Sequence, residues 1–394
     1  MKKLYIVLLG LLLIFTNLQT ATAESNIDYS ENSKKKVHEV FEILRDNYDK
    51  SDEEKIELIS AYFLNTAYVA NRLIGSKDVD EKLVIDLDGL DCTTYIEYLE
   101  AFRRSDSEED FLEKIKESRY IDQEVTYLKR KHFFSDWISE NDLNANDLIP
   151  TIAELDAVKQ TDIVRINEGK IGSDGKPINY IPGLAVRERA INYIPRDQIN
   201  EKLITLIKTG TYVGFRRDIL GLDVTHVGLI IQKADGTYLR NASSKAKQVV
   251  DIKLIDYITD IPKIKGILLF QPINNFKVPK VNININYLDQ EGNKLSDPTL
   301  LKLNIEDQYN IEKKEIENYQ FLKSDHKLSG KAGKKSLNIN LIYKKNNSEI
   351  IPAPNNKKTL PNAGATNNDR IIYIGIIAGL MIIAGYKTYK ASKL

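Results

Sequence analysis

The chain of 394 residues holds one cysteine, one tryptophan, two methionines and four histidines. A single cysteine excludes a disulfide framework within the chain. The 56 Lys+Arg are balanced by 56 Asp+Glu, for a formal net charge of +0 at pH 7. With no basic excess, nucleic acid is not an expected partner. No Cys/His cluster has zinc-site spacing, so neither a metal nor another cofactor is implied. Long apolar runs are confined to the two ends.

At the N-terminus, Lys2-Lys3 precedes the apolar stretch Leu4–Phe15, and Ala21-Thr22-Ala23 is a small-residue cleavage site. This predicts a signal peptide over 1–23 and an exported chain starting near Glu24. At the other end, Ile371–Tyr386 is uncharged and Lys387, Lys390 and Lys393 follow. That pattern predicts a C-terminal transmembrane helix with its tail in the cytoplasm.

Between the ends, helical patterns come first and strand patterns second, which predicts an α+β domain. Ser33 to about Ser76 reads as helical. Val37, Val40, Phe41 and Leu44 form one apolar stripe, and Ile56, Ile59, Tyr62 and Phe63 another, with polar Asp46–Lys55 between them. Strand patterns occupy Asp162–Ile166, Tyr212–Phe215, Val227–Ile231 and Gly266–Phe270. The domain should end near Pro272, and polar Asn274–Lys280 reads as a connector. Val281–Tyr287 then alternates cleanly, as Leu337–Tyr343 nearly does, on either side of a turn signal at Asp289–Gly292. They mark a small β-rich module of about 65 residues, near the lower limit for independent folding. Expected boundaries are 24–275 for the large domain, 276–345 for the small module, 346–359 for a polar linker and 360–394 for the C-terminal signal.

Cys92 is the first candidate for chemistry. Most lone cysteines are small buried hydrophobes. This one precedes a helical pattern in Ile96, Leu99 and Phe102, and Thr94 with Glu97 fits a capping box. A thiol at a helix start lies near free N–H groups and the positive dipole end, which favour a thiolate. Asp91 and Glu97 are expected to serve capping and packing.

A thiol nucleophile needs a base, and the base an orienting group. His38 reads as a surface or interhelical residue, and His326, in Lys323-Ser324-Asp325-His326, as surface. His132 lies beside aromatics in His132-Phe133-Phe134-Ser135-Asp136-Trp137 and is left as packed or substrate-contacting. His226 opens the strand Val227–Ile231. A hairpin turn at Lys233–Gly236 returns the chain so that Asn241 could come beside it. An asparagine carbonyl there would accept the Nδ1–H and hold Nε2 toward sulfur. Asn179 and Asn192 are the next candidates for the third group.

The ordered set Asp91–Glu97, His132–Trp137, Ile191–Pro195, Gly221–Gly228 and Asn241–Ser244 resembles the DUF1460 family, the N-acetylmuramoyl-L-alanine amidase-like branch of the NlpC/P60 cysteine peptidases. The resemblance covers roughly Ser33 to Pro272. It implies a papain-like α+β core, a cysteine at a helix N-terminus and a histidine on the facing sheet. The implied activity is cleavage between N-acetylmuramic acid and L-alanine. Where the family often has His-Ala-Ser, this chain has Asn241-Ala242-Ser243. Val281–Tyr343 resembles a MucBP domain, β-grasp-like, which implies either a host or glycan ligand or a spacer. Leu360-Pro361-Asn362-Ala363-Gly364, with the apolar stretch and basic tail, resembles a sortase cell-wall sorting signal in which Ala363 replaces threonine.

The expected protein is a surface-anchored cysteine amidase whose partners are peptidoglycan or muropeptides and a sortase. Cys92 would be nucleophile, His226 base and then acid, and Asn241 the orienting group. Backbone N–H groups at the helix start would meet the oxyanion, and Asp136, Trp137 and His132 would line the cleft. Rival expectations are an endopeptidase cutting after D-glutamate in the stem peptide, and an inactive surface adhesin.

Overall fold

A computed structural model of the protein describes residues 27–139, 144–173, 175 and 177–346. Helix α1 (Glu31–Asp46) starts at the Ser30 cap, and α2 (Asp52–Tyr62) at a full Ser51/Glu54 capping box. Both apolar stripes face inward: Val37, Val40, Phe41, Ile56 and Ile59 are all buried. The helical reading to Ser76 runs too far. The second helix stops at Tyr62, and Asn65 takes φ 67°, a conformation that ends a helix. Helix α3 (Cys92–Arg104) and α4 (Glu108–Arg119) complete the N-terminal layer.

The strands of the large domain's main sheet are β1 (Ala67–Tyr68), β2 (Gly89–Leu90), β3 (Ala145–Asp147), β4 (Gln160–Ile166), β5 (Arg187–Pro195), β6 (Tyr212–Arg217), β7 (Val227–Lys233), β8 (Gly236–Ser243), β9 (Gln248–Lys253) and β10 (Ile264–Pro272). Their order in the sheet is β2-β1-β9-β8-β7-β6-β10-β5-β4, with β3 paired to β10. Helix α3 lies against β7 and β8. Successive side chains of a strand alternate between faces. On β6, Tyr212 therefore joins the core under the helices, while Val213 and Phe215 join a second core on the other face with Leu254 and Ile258 of the short helix α5 (Leu254–Asp260).

The small module follows on β11 (Lys280–Leu288), β12 (Lys294–Asn304), β13 (Tyr319–Ser324) and β14 (Leu337–Lys345), in the order β12-β11-β14-β13. The two alternating sequences are its central pair, and they run parallel, with Ile283 opposite Leu337. Val281, Ile283, Ile285 and Tyr287 are buried, as are Ile339, Leu341 and Tyr343. The connector is pinned to the large domain. Phe276 is buried beneath the Arg103 guanidinium at 4.8 Å, and Lys280 pairs with Asp106 at 2.6 Å.

Two expectations are corrected. Among the described residues no helix is long and apolar enough to cross a membrane, so the described fold is the α+β domain and the small β-module without the expected transmembrane helix. The longest of the labelled helices, α1, has 16 residues with a charged outer face, roughly 24 Å at 1.5 Å per residue against a hydrocarbon core of about 30 Å. The membrane anchoring expected at the cell surface likewise has no helix among the described residues to carry it. The stretch 371–386, the sorting pentapeptide at 360–364 and the signal peptide at 1–23 lie outside the described residues.

Candidate active site

Cys92 is the first residue of α3. Asp91, not Thr94, caps the helix: its Oδ1 accepts the Thr93 and Thr94 N–H groups at 3.1 and 2.8 Å, and Thr94 Oγ1 accepts the Asp91 N–H. The expected Thr94/Glu97 box is absent because Glu97 turns inward and pairs with buried Arg119 at 2.7 Å. Asp91 thus uses two of the N–H groups expected to meet an oxyanion. The Cys92 N–H remains, and both it and the Val227 N–H lie near enough to the sulfur to favour its thiolate. The helix start therefore touches the start of β7, one residue after His226.

Cys92 and His226 line one cavity of about 130 Å³. His226 Nε2 lies 2.9 Å from Asn241 Oδ1. The ring is thus reversed from the expected orientation. Nε2 faces the asparagine, and Nδ1 is the nitrogen left for the thiol. Asn241 is buried on β8, and its Nδ2 has no hydrogen-bond partner among the described residues. Gly228 makes room for it: a Cβ at Gly228 would stand 3.0 Å from the Asn241 Cβ and 2.9 Å from the Arg240 carbonyl oxygen. The Tyr257 ring of α5 stacks on the imidazole with centroids 5.8 Å apart. Neither Asn192, held by Asp147 and Thr161, nor Asn179, which accepts from Gly169, is hydrogen-bonded to His226.

Burial pushes the Cys92 thiol up to about 11, and the Asp91 carboxylate adds to the shift; the Val227 N–H, the Thr93 hydroxyl and the Cys92 N–H only partly oppose it. Burial also lowers the pKa of His226 from the usual imidazole value, with the Asn241 contact opposing. Each group is therefore favoured in its neutral form. Both shifts run against the thiolate expected from the helix dipole alone.

His132 and Trp137 line the same cavity. His132 Nε2 bonds to the Tyr127 carbonyl at 2.7 Å, and burial lowers its pKa. Trp137 is buried edge-on against Tyr212 at 5.2 Å. Asp136 lies behind the cavity wall. Its Oδ1 pairs with Arg189 at 2.7 Å and Arg187 at 3.1 Å, and its Oδ2 accepts the Phe133 N–H at 3.0 Å. Its carboxylate thus holds the loop that carries Phe133, Phe134 and Trp137. His38 and His326 are exposed, beside Glu108 and Asp325.

Sequence reasoning missed Tyr68 and Tyr257. Burial raises both phenol pKa values, and for each the nearby Cys92 raises them further. Neither residue lies in a stretch whose pattern marks chemistry, since β1 has two residues and Tyr257 sits in a short helix 165 positions after the cysteine (257 − 92).

A helix laid across an antiparallel sheet, with the thiol at its N-terminus and an imidazole facing it in one cavity, is the architecture of NlpC/P60-related hydrolases. The chain belongs to the AmiA-like family, N-acetylmuramoyl-L-alanine amidase-like, whose sequence model matches residues 58–267. Residues 282–344 match the MucBP domain. At the family level the large domain is thus an amidase-like hydrolase of peptidoglycan. Among solved structures, a Legionella pneumophila protein of the DUF1460 family is 22% identical over 63% of this chain and 97% of its own, with a TM-score of 0.52, a likeness of fold. An N-acetylmuramoyl-L-alanine amidase from Bacteroides uniformis is 25% identical over 56% of this chain and 98% of its own, with a TM-score of 0.47. No curated protein matches the chain.

Proposed function

We propose that the chain is a cysteine amidase that hydrolyses the amide between N-acetylmuramic acid and L-alanine in peptidoglycan or its fragments. The observation that carries this reading is the shared cavity of Cys92 and His226, with Asn241 2.9 Å behind the ring. The family match supports the choice of bond. The domain limits 24–275 and 276–345 are part of the same proposal, and both family matches fall inside them.

In this reaction Cys92 Sγ bonds to the amide carbonyl carbon as its proton passes to His226 Nδ1. Asn241 Oδ1 accepts the Nε2–H, fixing the tautomer that leaves Nδ1 basic. The oxyanion is met by the Cys92 N–H and the Tyr68 hydroxyl. Collapse breaks the C–N bond, and His226 returns its proton to the departing alanine amine. Water, deprotonated by His226, then attacks the thioester. The muramoyl carboxylate leaves and the thiol regains its proton.

Mass spectrometry of muropeptides incubated with the purified protein tests this. Two products whose masses sum to the muropeptide plus one water, a sugar acid and a peptide with a free alanine amine, are expected. They should be absent with Cys92→Ala. A free amine at the third stem residue instead would overturn the choice of bond.

A further inference from the structure

His226 and Asn241 also line a second, larger cavity of about 570 Å³, of which Cys92 is not a part. Arg217, at the end of β6, opens into it. Pleat alternation explains why. Arg216 and Arg217 point to opposite faces, with a register shift between them against β10. Arg216 is held by Asp162 at 2.7 Å and lies over the Tyr193 ring. Arg217 follows Phe215 to the other face, where its Nε is buried and has no hydrogen-bond partner among the described residues. A buried N–H of a guanidinium without an acceptor is costly, and a ligand that brings an acceptor removes that cost.

The rest of the lining narrows the ligand. Ser243, Ser244 and Lys245 supply further donors, and Ile252, Ile261 and Ile264 supply aliphatic surface. The exposed carboxylate of Asp260 also borders the cavity and makes no ion pair with Arg217. This chemistry suits a carboxylate on a short aliphatic chain, held by an arginine fork with hydroxyl donors beside it.

The position supplies the rest, and this step rests on the amidase reading above. The imidazole separates the sulfur from the larger cavity. The proton that Nδ1 carries goes to the leaving amine, so the amine stands at the sulfur-facing edge of the ring and the rest of the leaving peptide runs on past the imidazole toward the larger cavity. In a stem peptide that amine belongs to L-alanine, and the next residue is a γ-linked D-glutamate whose α-carboxyl is free or amidated. We propose that Arg217 binds this α-carboxylate, assisted by Ser243 and Ser244, and makes the site selective for the free acid over the α-carboxamide.

The test uses the full chain with Cys92→Ala, which binds without turning over. Isothermal titration is run with L-alanyl-γ-D-glutamate and with its α-amide, L-alanyl-γ-D-isoglutamine. The acid should bind about ten- to hundredfold more tightly, the range expected for a hydrogen bond to a charged group. Arg217→Gln should bring the ratio close to one, while Arg217→Lys should keep part of it, with thermal melting confirming that each variant is folded. Equal affinities in the parent, no binding of either dipeptide, or a preference that survives Arg217→Gln in a folded chain overturns the proposal. Because these are binding ratios in an inactive chain, they are separable from the bond assignment, which fails or stands on product masses.

Discussion

The imidazole Nε2 of His226, one residue before β7, and the side-chain oxygen of Asn241 on the antiparallel strand β8 are 2.9 Å apart. This contact sets the proton inventory of the site. A neutral asparagine accepts one hydrogen bond and adds no charge, so it selects a tautomer without raising the basicity of the ring as a carboxylate would. Asn241→Ala should lower kcat by roughly 10- to 1,000-fold with little change in KM, because orientation matters mainly in the transition state. Asn241→His should keep substantial activity. Steady-state kinetics on a defined muropeptide checks both. Wild-type kcat in Asn241→Ala would remove Asn241 from the mechanism.

The pH profile follows from burial. Burial holds the His226 pKa below the usual imidazole value, so the neutral base survives to lower pH than a free histidine would. The acid limb of kcat/KM should therefore lie below about 6.5, the unperturbed imidazole value. Asn241→Asp places a carboxylate beside the ring, favours the imidazolium and should move that limb upward.

Cys92, with its pKa pushed up to about 11, should alkylate slowly in the resting protein. At neutral pH its thiolate fraction is roughly a hundredfold smaller than that of a thiol with the ordinary value of 9.0. The rate of iodoacetamide labelling should climb with pH through the alkaline range. Rapid labelling at pH 7 with a plateau would mean a resting thiolate, and with it an ion pair rather than a neutral pair.

Tyr68→Phe tests the proposed second oxyanion donor, a role left open because Asp91 occupies the Thr93 and Thr94 N–H groups. Loss of a donor used only in the transition state should lower kcat roughly a hundredfold and leave KM nearly unchanged. A variant in which only KM rises would make Tyr68 a substrate contact.

Glu97 and Arg119 form a buried pair under α3. Burial raises the Glu97 pKa and the arginine beside it opposes the shift. Glu97→Ala strands the guanidinium and should cost about 3–5 kcal/mol in urea unfolding. Glu97→Gln, which keeps an acceptor, should cost less.

Much of this architecture was legible in the residues. The unbroken apolar run Val227–Ile231 reports a strand buried on both faces, and the period-two pattern of Val281–Tyr287 reports one buried on a single face. The hairpin at Lys233–Gly236 brings Asn241 back beside His226 because its two strands pair antiparallel. Asp91 as the cap was harder to see, since Thr94 and Glu97 fit the same local pattern and only the burial of Arg119 draws Glu97 inward. The C-terminal hydrophobic run was read from composition alone, and among the described residues no membrane-crossing helix stands behind it.

The sequence by itself determined the parts list: one thiol at a helix start, one histidine at a strand start, an asparagine one hairpin later, and a small alternating module after Pro272. These are local properties, set by periodicity, capping and turn chemistry within a few residues. Only the tertiary structure decided which ring nitrogen faces Asn241, that Tyr68 and Tyr257 come near the thiol, that the Arg217 Nε has no hydrogen-bond partner among the described residues, and that burial favours the neutral thiol and imidazole. Those properties depend on residues far apart in the chain sharing one poorly solvated space, and the free energy of a charge there is set by everything packed around it.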